Sequence, residues 1–271
     1  MRTRRRVLQS LMLTNCFASV FKDRALSNIV VTEMTSPLQA IERSANALPA
    51  MVKLRSGAVF YSGQGAFDEP APLYVLGLNP GGSPTKQADR TIARDLAEWP
   101  NMPRHSSRYL DEAWEGKAPG TYGMQPRIRH MFEKLALDLR RVPASNVAFV
   151  RSLSEADLAT EKATLLDACW PVHEVVMREL SVRTVLCLGG TAGRWVREKL
   201  GATRVFGTFR ESNDRGWLSE AHVARDGRAV VTVTHPGRVD WRNPAADPTP
   251  LLRSVLKRDS SEIPVKENYD H

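Results

Sequence analysis

The chain has 271 residues, 42% of them hydrophobic, and a formal net charge of +8. That is enough for one large core or a domain with an appendage, and no stretch reaches the roughly 20 apolar residues of a membrane-crossing helix. The three cysteines, Cys16, Cys169 and Cys187, are far apart and odd in number, which excludes a disulfide framework or metal-ligand spacing and fits a reducing cytoplasm.

The charge is unevenly spread. Residues 1–30 carry Arg2, Arg4, Arg5, Arg6, Lys22 and Arg24 against the single acid Asp23, so five of the eight excess charges belong to the leader. An acidic partner must therefore be argued from local clusters. The leader, residues 1–45, begins with a basic run and a short apolar stretch, as a signal peptide would. Gln9, Ser10, Thr14 and Asn15 interrupt that stretch, and no small-x-small cleavage site follows. It reads as a disordered or mis-started N-terminus, with Met34 as an alternative start, ahead of a globular domain over 46–271.

Four short β-branched runs follow: Leu73–Leu78, Val147–Val150, Thr184–Leu188 and Ala229–Val233. Each is nearly continuous in apolar residues, as a strand buried on both faces reads. Helical patterns separate them. Ser83 and Pro84 predict the start of a helix burying Ile92 and Leu96, with Trp99 a turn further on. Pro126 opens another, striped by Ile128, Met131, Phe132, Leu135 and Leu139. Ser154 and Asp157 form a capping-box pattern before a long helical region that Pro171 should kink or split. Thr191–Leu200 ends at Gly201, a natural left-handed cap, and 203–228 reads as a polar hairpin or excursion. Strands alternating with helices predict an α/β fold, a three-layer α/β/α sandwich around a four-stranded parallel sheet.

Ligands of such sheets gather beyond the carboxyl ends of the strands. Three of the four ends are unusual: Asn79-Pro80-Gly81-Gly82, Gly189-Gly190-Thr191 and Thr234-His235-Pro236-Gly237-Arg238. Small residues there let backbone amides approach a ligand. Asn-Pro-Gly-Gly alone is also an ordinary turn, and a lone His before Pro is usually a surface or capping residue. Nothing matches the glycine spacing of dinucleotide or P-loop sites.

With "GLNPGG" at 77–82, "THPGR" at 234–238 and "CWPVHEVVMRELSVRTVLCLGGTAG" at 169–193, the chain resembles the uracil-DNA glycosylase superfamily. The likeness spans roughly residues 70–258. The G-x-N-P-G form looks most like the mismatch-specific and single-strand-selective branches. The resemblance implies the same sandwich fold and hydrolysis of the bond between a flipped-out base and its deoxyribose, in a monomer acting on DNA without cofactor or metal. The family's iron–sulfur branches use four cysteines, more than this chain has. No Lys in the motifs stands as a Schiff-base nucleophile, so strand cleavage is not expected.

Mapped onto these positions, the resemblance makes Asn79 the residue that aims water and His235 the donor to the leaving base. Gly77, Leu78, Pro80, Tyr122, Arg151 and Ser152 would line the base. Gly81, Gly82, Ser83, Lys86, Gly190 and Thr191 would meet phosphates. After His235, Gly237, Arg238 and Arg242 would contact DNA while Val239 or Trp241 fills the vacated stack. Tyr122 can equally be a packed loop residue, Lys86 a solvated one, and Trp241 part of a surface cluster.

One departure stands out. The family often carries Asn at the end of the second strand to read a uracil edge, and here Arg151 follows Val147–Val150 with Asn146 at that run's start. A guanidinium only donates, so uracil is not secured. Xanthine, hypoxanthine or an enlarged pyrimidine stay open, as do excision of bulky modified bases in phage defence and a non-catalytic DNA-binding relative.

Overall fold

The computed structural model describes residues 35–258. The readings of the leader before Thr35, including Cys16 and Met34, lie outside them. Six strands form one mixed sheet: β1 Leu73–Gly77, β2 Ala144–Asn146, β3 Thr184–Leu188, β4 Arg204–Arg210, β5 Leu218–Val223 and β6 Ala229–Val233. The helices are α1 Pro37–Asn46, α2 Ala50–Lys53, α3 Ile92–Glu98, α4 Arg108–Asp111, α5 Gln125–Leu135, α6 Lys162–Glu179, α7 Gly190–Leu200 and α8 Thr249–Leu256. Among the described residues no helix is long and apolar enough to cross a membrane.

The strand order is β2-β1-β3-β6-β5-β4. β2, β1, β3 and β6 are mutually parallel, whereas β5 and β4 run antiparallel. The expected four-stranded sheet is therefore extended to six, because 203–228 pairs onto β6 instead of leaving the sheet. Strand alternation divides the core in two. Tyr74, Leu76, Val185, Cys187 and Val230 pack with residues of α1, α3, α6 and α7, while Leu73, Val75, Leu186, Leu188, Val231 and Val233 pack with α5 and α8. Burial on both faces explains the continuous apolar runs.

Four smaller expectations shift. The domain begins before residue 46, since Ser36 caps α1 through a reciprocal box with Gln39 and Ile41 and Ala45 are fully buried. Ser83 accepts Lys86 N at 3.2 Å in a turn, and Thr91 caps α3 instead. Ser154 and Asp157 do form a capping box, but on a single 3₁₀ turn ahead of α6. α6 then runs unbroken through Pro171, which lies on its exposed side, where water can meet the carbonyl that a proline leaves unpaired.

The largest shift is at the second strand. The apolar run 147–150 is buried but lies past the ladder, which occupies Ala144, Ser145 and Asn146. Val147 N and Ala148 N still donate to Gly77 O and Leu78 O, at 2.9 and 2.8 Å, and Ala58 N donates to Phe149 O at 3.0 Å. So the run is held by β1 on one side and by 56–58 on the other.

Candidate functional site

At the end of β1, Asn79 is half-buried. Its side-chain amide faces the Pro80 carbonyl at 2.9 Å, the Val150 carbonyl at 3.5 Å and Ser152 Oγ at 2.8 Å. Carbonyls only accept, so Nδ2 occupies this side. Ser152 Oγ in turn donates to Ser154 O at 2.7 Å. The relay Asn79–Ser152–Ser154 fixes the amide and turns Oδ1 away as an acceptor that no donor reaches among the described residues. Ser152, expected against a base, is buried and serves instead as the anchor of Asn79.

The loop after Asn79 is clamped from β2's side. Arg151 donates to the Gly81 carbonyl and, through Nε, to Ser56 Oγ at 3.3 Å. Gly82 has φ +106°, and a Cβ there would stand 2.5 Å from Gln87 Oε1 and 3.2 Å from Arg151. Arg151 is thus a clip on the loop carrying Pro80, Gly81 and Gly82. Ser83 is engaged with Lys86 N, and the Lys86 side chain is exposed.

Asn146 is the residue sequence reasoning set aside. With β2 ending at Asn146, its side chain occupies the strand-end position that Arg151 was expected to hold. It is paired in register with Gly77, and its Oδ1 lies 2.2 Å from where a Gly77 Cβ would be. Only glycine fits there. Asn146 is 4% exposed, yet its Nδ2 finds no hydrogen-bond partner. A buried amide left unmet costs about 1–3 kcal/mol, which a ligand can recover. The Tyr61 hydroxyl lies close beside the Asn146 amide and is drawn down by it, but burial is the larger effect and holds that phenol above its ordinary pKa. Arg108 lies 5.5 Å over the Tyr61 ring. Polar residues in β2 hid the strand, so periodicity alone offered no signal for Asn146 or Tyr61.

β6 delivers His235. Gly237 N donates to its Nδ1 at 2.9 Å, so the neutral ring carries its proton on Nε2. Burial lowers its pKa, and the charges of Arg238 and Arg127 push the same way. The half-buried ring therefore presents a neutral N–H donor. Arg127 donates to the Pro236 carbonyl and steadies the turn. Between β1 and β6 lies β3, followed by Gly189, which has φ +109° and would place a Cβ 3.4 Å from His235 Cδ2. Two strand spacings separate the Asn79 and His235 strands, roughly 10 Å, a gap that a nucleoside can bridge.

The remaining expected contacts divide. Gly237, Arg238 and Arg242 are exposed, although Arg242 is paired with Asp240 at 2.8 Å. Val239 and Trp241 are 1% and 0% exposed and belong to the core. Trp241 Nε1 donates to Thr234 O at 3.2 Å, so neither side chain is available to fill a base stack. Thr191 Oγ1 donates to the Glu155 carboxylate at 2.9 Å, which Lys162 also holds at 2.9 Å. An anion already sits where Gly190 and Thr191 were expected to take a phosphate. The Lys162 hydrogen bond keeps Glu155 below the ordinary carboxylate pKa. Tyr122 is 41% exposed; only its backbone is tied, to Gln125, whose Nε2 reaches the carbonyls of Arg108 and Glu112.

Among the described residues no group of three His, Cys, Asp or Glu side chains is arranged to hold a metal. Chemically, the strand ends offer an aimed acceptor, an unmet amide and a neutral donor. No family model matches the chain, and neither does any curated protein.

Proposed function

We propose that this chain is a monofunctional DNA glycosylase of the uracil-DNA glycosylase type, hydrolysing the N-glycosidic bond of a flipped-out deaminated base. The observation that carries this reading is the unmet hydrogen-bonding capacity of Asn79 Oδ1, Asn146 Nδ2 and His235 at the ends of parallel strands. The glycosidic bond breaks with its electron pair leaving on the base, while positive charge builds on the sugar. Water then adds its oxygen to C1′ and gives up a proton that neutralises the base. Asn79 Oδ1 accepts a hydrogen bond from that water and aims it; an amide is too weak a base to do more. His235 donates Nε2–H to the developing oxyanion of the base. Remaining neutral, it acts without a prior protonation step.

Asn146 can both donate and accept, so it suits a base edge that alternates keto and N–H groups, as uracil's does. This restores uracil as the leading substrate. Bulky modified bases would need space beside Arg151, whose guanidinium is engaged by the Gly81 carbonyl. The test is an excision screen over oligonucleotides carrying uracil, hypoxanthine, xanthine, mismatched thymine and modified cytosines. Abasic sites should form at uracil first, and Asn146→Ala should lose that preference. DNA binding with no excision of any base would instead support a non-catalytic relative.

A further inference from the structure

The sheet continues past its parallel half into a hairpin whose tip returns to the edge that carries His235. β5 is antiparallel to β6, so Leu218 begins where β6 ends. Thr234 N donates to Ser219 Oγ at 3.2 Å and fastens the two. The tip, residues 211–217, is preorganised. Asn213 Oδ1 accepts Arg215 N at 3.0 Å and Gly216 N at 3.3 Å, and Glu211 N donates to Trp217 O at 2.9 Å.

On this frame Trp217 is 39% exposed, with the Arg215 guanidinium 5.0 Å from its ring centre. Arg215 also reaches the Arg238 carbonyl at 3.4 Å, joining the tip to the His235 turn. Arg210 is exposed and donates to Gly216 O at 2.7 Å. Of the tip's two acids, Glu211 is buried beneath Arg215 at 3.2 Å, which leaves Asp214 alone at the surface. An exposed indole backed by Arg215, with Arg210 at the base of the same tip and Arg238 on the adjoining turn, has the chemistry that receives an unstacked base and its phosphates. A paired base in a duplex has no free face to offer it.

We propose that the β4–β5 tip is a second nucleic-acid contact, in which Trp217, backed by Arg215, stacks an unpaired base near the flipped nucleotide while Arg210 and Arg238 meet its phosphates. It rests on the nucleic-acid reading of the His235 edge and adds a preference for unpaired strand.

Titrating the full chain with short oligothymidylate, which contains no modified base, reads this contact without any excision. Tryptophan fluorescence should quench saturably. Trp217→Phe should keep binding and lose most of the quench. Trp217→Ala should bind about tenfold more weakly with an unchanged thermal midpoint, while binding to blunt duplex changes little. Wild-type affinity in Trp217→Ala, a full quench in Trp217→Phe, no binding of oligothymidylate, or a preference for an acidic polypeptide would each overturn the proposal. An inactive enzyme that still shows the Trp217-dependent titration would sink the glycosylase reading alone, and excision without that titration would sink the tip contact alone.

Discussion

Asn79 uses its two amide atoms differently: Nδ2 is spent on Ser152 and two carbonyls, and Oδ1 is left to take the water that the proposed mechanism assigns to it. Removing the anchor should therefore damage turnover more than binding. Ser152→Ala is expected to lower kcat by tenfold to a hundredfold, as misaimed groups do, with KM little changed; steady-state kinetics on a uracil oligonucleotide checks it. His235 makes a complementary prediction. Because burial and two neighbouring arginines depress its pKa, the neutral form persists below pH 6.5. The excision rate should hold to a lower pH than an ordinary imidazole would allow and then fall, as a second ring proton breaks the Gly237 contact. Gly189→Ala, at a φ of +109° and against His235, should cost about 1–2 kcal/mol in thermal or denaturant unfolding and lower activity together. The strand-end placement of Asn79 and His235 was legible because both lie in turn sequences that follow apolar runs. Asn146 was not, since its importance comes from register with Gly77, and a cross-strand neighbour 69 positions away leaves no local pattern.

At the scale of elements, the end of β2 is held from below. His173, fully buried in α6, places Nε2 3.2 Å from the Val147 carbonyl and Nδ1 2.8 Å from the Tyr74 hydroxyl. The carbonyl can only accept, so Nε2 carries the proton and Tyr74 donates to Nδ1. Burial lowers the His173 pKa from 6.5 to about 4. In that window the unfolded chain binds a proton that the folded chain refuses, so stability falls as pH drops from 6.5 towards 4. The loss reaches as much as about 3 kcal/mol, measurable as denaturant midpoints across that range. Trp241→Ala should cost about 3–5 kcal/mol, as removal of a buried indole does. Strands β1, β3 and β6 were legible from apolar runs because both their faces are covered. β2 was not, because its ladder residues are small or polar while the neighbouring run 147–150 is apolar. The fate of 203–228 was also hidden: β4 and β5 mix polar and apolar residues without clean alternation, and only their pairing with each other and of β5 with β6 makes them sheet.

Across the whole molecule, the charge that matters lies at the C-terminal edge of the parallel strands, where Arg127, Arg151, Arg215 and Arg238 surround the candidate site. Arg127 and Arg151 are committed to loop carbonyls and Arg215 to Glu211, which leaves Arg238 the most available for phosphate. Arg238→Gln should weaken binding to all oligonucleotides alike and reduce the slope of log affinity against log salt by about 1. In the proposed reaction Asn79 and His235 act on one nucleoside. Its most direct measurement compares abasic-site formation on a uracil oligonucleotide by wild type, Asn79→Ala and His235→Ala, with DNA affinity measured alongside. Each variant should lose at least a hundredfold in single-turnover excision rate while affinity changes by less than about threefold, as loss of groups acting in the transition state requires. Wild-type excision rates in either variant, or no excision by the wild type on any base, would contradict it.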